Sequence, residues 1–257
     1  MNLRLLAVIL VGCGLRSAIA ADLTAAEVRS VVQQSTPRVP ADLRGKDLGD
    51  LDLSNFDFRS ANLAGASLFG SKLVQADLRG ADLRGANLNG AWLMGADFSN
   101  ANLAGASLLS VVVLGGEVKK MPVFRGATMS GVKMIADLPG ADLSGADLHD
   151  ATIGVNIRNQ GMGQMRTDLS GANLAGANLA GADINRTLLP FANLRGANLR
   201  GANFFRANLA GADLSGADVT AADFAEADLN GTILRDVKGL PAAKGLDRAE
   251  NFDKAVR

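Results

Sequence analysis

The side chains in this chain best suited to acid-base or metal chemistry are one histidine, one cysteine and 26 acidic groups. His149 and Cys13 are far apart in the sequence. A histidine-rich zinc site of three protein ligands needs more imidazoles and thiolates than these two residues supply. The carboxylates are numerous enough for a calcium cage or for a pair that cleaves glycosidic bonds. Their placement argues for a different role. Asp47, Asp52, Asp57, Asp77 and Asp82 each stand directly before a leucine or phenylalanine, at one fixed phase. Short carboxylate and amide side chains at such places bond to the local backbone of a turn. The nine-residue Gly-Gly-x-Gly-x-Asp phrase of calcium β-rolls is absent. Gly45, Gly65 and Gly85 recur at their own phase and form no phosphate-cradling loop. The expectation is a protein that is not an enzyme and carries no metal or cofactor.

The element that positions these residues is a phrase of five. Ala172-Asn173-Leu174-Ala175-Gly176 is followed by Ala177-Asn178-Leu179-Ala180-Gly181, and this phase holds from Thr167 to Asp236. A first block runs from Ala41 to Gly115, centred on Leu43, Leu48, Leu53 and their successors. Between the blocks come Phe124, Met129 and Met134, then a step of one residue fewer to Leu138, and the phase continues to Ile153. Polar or glycine-rich insertions break the register at 116–121 and 156–166. A spacing of five fits neither the helical period of 3.6 nor the strand period of 2. It suits a chain that turns a corner every pentad, with the central residue and the small residue two before it pointing inward. Composition agrees, because 48% of residues are hydrophobic but only 4% aromatic, with 30 glycines and no tyrosine. Leucine and alanine must fill a narrow, regular interior.

These pentads, Ala-Asp/Asn-Leu-x-Gly, resemble the pentapeptide-repeat family. The resemblance implies an all-β fold, a right-handed quadrilateral β-helix (a solenoid) over residues 41–236, with four pentads to each coil. That makes about nine coils and, with about 4.8 Å between stacked strands, a rod about 43 Å long. Leucine-rich repeats have a longer period and motif. Open rod ends would expose unpaired edges that recruit other chains. Residues 21–40 answer this at one end, since Thr24-Ala25-Ala26-Glu27 has capping-box spacing before Val28, Val31 and Val32. At the other end, residues 237–257 leave the repeat, and Ala243, Leu246, Ala249, Phe252 and Ala255 predict a second short capping helix. An uncapped end would instead allow self-association.

Residues 1–20 read as a secretory signal peptide. Arg4 provides the positive region, Leu5–Val11 a short apolar run, and Ala18-Ile19-Ala20 a small-residue cleavage site. The apolar run is too short to span a membrane. The mature chain is then exported, periplasmic or secreted, and holds no disulfide, because Cys13 leaves with the signal. Leu10-Val11-Gly12-Cys13 also resembles a lipoprotein lipobox, which would make Cys13 a lipid anchor; the Ala20 site is the preferred reading.

Two surface features stand out from the pattern. Residues flanking a central position point outward, and residues 20 apart share a face. Val74, Trp92, Met94, Val112 and Leu114 thereby form an apolar patch, unless the insertion at 116–121 folds over it. Arg186, Arg195, Arg200 and Arg206 cluster within neighbouring coils as candidate contacts for an anion. Some members of the family protect DNA gyrase by imitating a duplex. That role is disfavoured here, because Arg44, Arg59, Arg79, Arg84, Arg195 and Arg200 offset the acidic positions and the signal directs export. Lysine plus arginine and aspartate plus glutamate both total 26, so no net field draws the chain to nucleic acid. The expected function is an exported scaffold that presents flat faces to a protein partner. The alternative is a glycan-binding or carbohydrate-active β-helix of the envelope.

Overall fold

The computed structural model describes residues 21–36, 38–113, 120–154 and 166–257. The expected signal segment with Cys13, and most of both expected insertions, lie outside these residues.

Each pentad builds one side of a coil. In the first, the N–H of Lys46 donates to the carbonyl of Leu43 at 3.2 Å, and Gly45 has a φ of 61°. A positive φ at the third position of a turn is the type II requirement, which glycine meets without steric penalty. Asn100, Arg186 and Phe191 occupy the same corner phase and adopt the same left-handed φ. Turns come so often that one residue per side has room to pair in extended geometry. Asn62 donates its N–H to Ala41 and accepts from Leu43, both at 2.8 Å, and Gly45 donates to Ala64 at 2.9 Å.

These parallel bridges generate four ladders. Side one begins Asp42–Asn62–Asp82, side two Asp47–Ser67–Asn87, side three Asp52–Lys72–Trp92 and side four Asp57–Asp77–Asp97. Side one continues through Asn102, Thr128, Asp147, Asn178, Asn198 and Asp218 to Lys238. Inside, the central leucines and the alanines two before them form one buried cluster. Rings stack where phenylalanine takes the central place in adjacent coils, with centroids 5.0 Å apart for Phe98–Phe124 and 5.2 Å for Phe204–Phe224. The residue before the centre does local work, as expected. Its side-chain oxygen accepts the N–H two residues on, at 2.9 Å for Asp97 to Ser99 and 3.1 Å for Asn102 to Ala104.

Where the period slips to four, the corner is lost and the backbone runs on. Strand β1 (Ser107–Val111) then pairs in parallel with β2 (Lys133–Ala136), Leu108 opposite Met134 and Leu109 opposite Ile135. Ser110 is the extra residue of the irregularity between Leu109 and Val111, and its φ of 55° re-aims the chain toward side three.

At the N-terminal end, helix α1 (Ala25–Gln33) starts at a Thr24–Glu27 capping box. Val28 is fully buried, Leu23, Val31 and Val32 pack on the core cluster, and the N–H of Asp22 donates to the carbonyl of Asp47. The C-terminal segment differs from the helix its sequence predicts. It forms two single 3-10 turns, Leu240–Ala242 and Phe252–Lys254, and stays in the ladders. Lys238, Lys244, Glu250 and Val256 bridge to Asp218, Asp223, Asp228 and Ile233. Each side of this last turn is thus one residue longer than a pentad. Gly239, Gly245 and Asn251 bend at φ 73°, 69° and 55°, where a pentad would place its central leucine. Val237, Leu240, Ala243, Leu246, Ala249, Phe252 and Ala255 fold over the core at every third position. That spacing is what imitates a helix in the sequence.

Candidate interaction surfaces

The acidic positions are occupied by structural bonds. On side four Asp57, Asp77 and Asp97 stack one above another, which would set like charges about 4.8 Å apart. Arginines two residues on thread between them. Arg59 Nη2 lies 2.6 Å from Asp57 Oδ2 and its Nε lies 3.6 Å from Asp77, while Arg79 spans Asp77 and Asp97 at 2.6 and 3.9 Å. Where arginine is missing, asparagine interrupts the stack, as when Asn178 Nδ2 donates to Asp147 and Asn198 Nδ2 donates to Asn178, each at 2.8 Å. His149 Nδ1 sits 2.8 Å from Asp147 Oδ1. The hydrogen bond to Asp147, helped by its charge, raises the histidine above its ordinary value. No group of three or more potential metal-ligating side chains occurs among the described residues. No helix among them is long and apolar enough to cross a membrane.

Side three carries two adjacent apolar lapses, Trp92 and Val112, whereas those of side four, Val123 and Ile233, stand singly. Trp92 replaces the usual aspartate or asparagine, is 38% exposed, and bridges to Lys72 and Val112. Val74 and Val112 are half-buried beside it. Met94, expected outward, is only 3% exposed, and the neighbouring Gly95 N–H donates to the carbonyl of Lys120 at 2.6 Å. Where the chain rejoins the coil after the insertion, this corner is closed rather than open. Leu114 lies outside the described residues. Further along the same side Asp168 bridges to Leu188, another lapse from the acidic position. Val111, Ile135, Ala136 and Leu188, with Asp137, Arg166 and Asp168, line a groove of about 400 Å³ there. Phe191, 75% exposed, sits at the next corner. The periodic signal contained Leu188 and Phe191, since both violate the pentad rule. Ile135 had no such signal, because it is exposed to the groove only through the four-residue step.

The four arginines do not act as one anion site. Arg195 is held by Asp213 at 2.9 Å, Arg200 by Asp218 at 3.1 Å and Arg206 by Glu226 at 2.6 Å, each carboxylate one coil ahead. Sharing a coil separation puts them beside their partners, so the charge is balanced in place. Arg186 has no such partner among the described residues. Its guanidinium carbon lies 6.0 Å from the centre of the Phe205 ring, and that of Arg206 lies 4.9 Å away.

A family model for pentapeptide repeats (8 copies) matches residues 41–75, 61–100, 167–204 and 202–238. Among solved structures, HetL, a pentapeptide repeat protein involved in heterocyst differentiation regulation from the cyanobacterium Nostoc sp., is similar at 30% identity. That match covers 84% of this chain and 92% of HetL, with a TM-score of 0.36. A pentapeptide repeat protein of the Arabidopsis thaliana thylakoid lumen is 34% identical over 43% of this chain and 66% of its own, with a TM-score of 0.26. QnrB1, a plasmid-mediated fluoroquinolone resistance protein, is 21% identical over 82% of this chain and 92% of its own, with a TM-score of 0.41. No curated protein gives a significant match.

Proposed function

This chain belongs to the pentapeptide-repeat family, and we propose that it is an exported, non-enzymatic scaffold that binds a protein partner through side three. Proteins of this family form right-handed quadrilateral β-helices and generally serve as structural or interaction proteins. The observation that carries the proposal is the exposed Trp92 bridged to Val112 on side three, with Leu188 further along the same side after Asp137 and Asp168. Apolar substitution at those points forfeits the side-chain bond to the turn and gains nothing for the core. A partner that covers the ring and the groove beside Ile135 would bury it, and tryptophan is the side chain most enriched at such contacts. Export is supported by Arg4, Leu5–Val11 and Ala18-Ile19-Ala20. A duplex-like role is disfavoured because the stacked carboxylates of side four are neutralised by Arg59 and Arg79.

A photocrosslinker placed at position 92 in intact cells tests this reading. It should capture one discrete protein, and capture from a neighbouring position on side three should fall when Trp92→Ala or Leu188→Asp is introduced. A captured set that both substitutions leave unchanged would overturn it. A product at twice the mass of this chain would mean self-association instead.

A further inference from the structure

Beyond the scaffold reading, side two carries a groove that neither core packing nor charge balance explains. It has a volume of about 420 Å³ and is lined by Arg186, Asn185, Asn203, Phe205, Asp223 and Lys244. We propose that this groove binds an acidic polysaccharide of the uronic-acid class, with Arg186 and Lys244 holding carboxylates and the row between them holding hydroxyls.

Three observations support it. First, neither Arg186 nor Lys244 has an ion-pair partner among the described residues, whereas Arg195, Arg200 and Arg206 all do. Arg186 flanks the ladder at Asp183, and Lys244 closes it three bridges further on, after Asn203 and Asp223. At about 4.8 Å per step the two cations are about 14 Å apart along the rod, a length suited to a chain ligand rather than a single small anion. Second, the intervening groups alternate in hydrogen-bonding character. Asn203 gives one amide hydrogen to Asp183 at 2.9 Å and accepts from the N–H of Phe205 at 3.0 Å. Its second amide hydrogen is uncommitted among the described residues. Asp223 accepts from the N–H of Ala225 at 2.9 Å with one oxygen, leaving the other without a protein partner among those residues. Third, the groove is open by construction. A Cβ at Gly201 would meet nothing within 4 Å, and its neighbour at the same corner one coil on is the small Ala221.

The chemistry selects among ligands. A neutral sugar leaves both cations unused. An acidic peptide supplies carboxylates but sets one against Asp223 and brings no hydroxyl donor to it. A uronate chain offers carboxylates for the cations and vicinal hydroxyls for Asn203 and Asp223. The site is solvent-exposed, so binding weakens steeply with salt.

Calorimetric titration of the purified protein at low ionic strength, with an oligogalacturonate as probe, tests the proposal. Arg186→Ala with Lys244→Ala should weaken binding by about tenfold or more, which is about 1.4 kcal/mol. Arg195→Ala, whose guanidinium is occupied by Asp213, should change it by less than about twofold. Absence of binding by the unmodified protein, or equal binding by the double variant, would overturn the proposal. So would tighter binding of poly-glutamate than of the oligouronate, which would assign the groove to an acidic protein.

Discussion

Phe98 and Phe124 stack with ring centroids 5.0 Å apart and planes within 10° of parallel, although segment 114–119 lies between them in the chain. The coil registers these rings as adjacent, just as it does Phe204 and Phe224, which have no insertion between them. Deleting 114–119 leaves Lys120 and Met121 as the two corner residues after Val113, with Pro122, Val123 and Phe124 in pentad phase. Deleting 155–165 does the same between Ile153 and Leu169. Each deletion should leave the stability within about 1 kcal/mol, because closing a shorter loop changes the entropy only slightly. Urea denaturation with unchanged cooperativity checks this; a collapse of the transition would show that an insertion holds the rod together.

Leu199 is fully buried on side one, between Leu179 and Val219 of the adjacent coils. Leu199→Ala should destabilise the protein by about 2–5 kcal/mol through lost burial and the cavity left behind. Leu199→Asp should abolish the cooperative transition, since an unpaired carboxylate would lie inside the rod. Thermal melts by circular dichroism distinguish the two.

Thr187 is buried at the small inward position, and its hydroxyl finds no partner among the described residues. Thr167 and Thr232, in the same phase, donate to Ile153 and Leu209 at 2.8 Å. Thr187→Val keeps the shape and removes the unsatisfied group, so it should stabilise by about 1 kcal/mol. Thr232→Val breaks a bond that is made and should destabilise. Denaturant midpoints of the two variants should move in opposite directions.

The carboxylates impose a defined acid limit. Asp42 is lowered to about 2, chiefly by the hydrogen bond from the Arg44 side chain, and Asp218 to about 2, chiefly by the hydroxyl of Thr220. Asp52, Asp57, Asp77 and Asp82 are lowered as well. A carboxylate lowered in the folded state contributes stability that is present above its unfolded value, about 3.9, and lost as pH falls through the folded value. The melting temperature should therefore hold steady above about pH 5 and drop between about pH 4 and pH 2. His149 acts oppositely, because its value is raised: its contribution is present below about 6.5 and lost as pH climbs past the folded value. Asp42→Asn should flatten the acid limb, and His149→Ala should remove a small increment below pH 6.5 only.

The pentads made the coil readable because almost every letter has one structural role. Leucine fills, alanine fits, aspartate bonds the turn and glycine takes the positive φ. The same economy hid the exceptions. Met94 obeys the outward spacing of Trp92 yet is buried, because its corner is where the chain returns at Lys120. The arginines form a cluster in the sequence, whereas the carboxylates that hold Arg195, Arg200 and Arg206 lie a coil away, at Asp213, Asp218 and Glu226. The closing turn imitates a helix in the sequence for a physical reason. Two inward residues on each six-residue side produce a step of three from Val237 to Ala255, near enough to a helical repeat to be mistaken for one.

That closing turn also has a bearing on the order of synthesis. A coil can dock only onto the coil before it, so an emerging chain carries a growing edge of unpaired amides and carbonyls toward its unfinished end. The turn bearing Gly239, Gly245 and Asn251 is translated after all the pentads it covers. Until it arrives, the edge at Asp218, Asp223, Asp228 and Ile233 is a template for any other nascent strand. Truncation before Lys238 should therefore yield a rod whose fate is set by its concentration, whereas the intact turn makes assembly a first-order event.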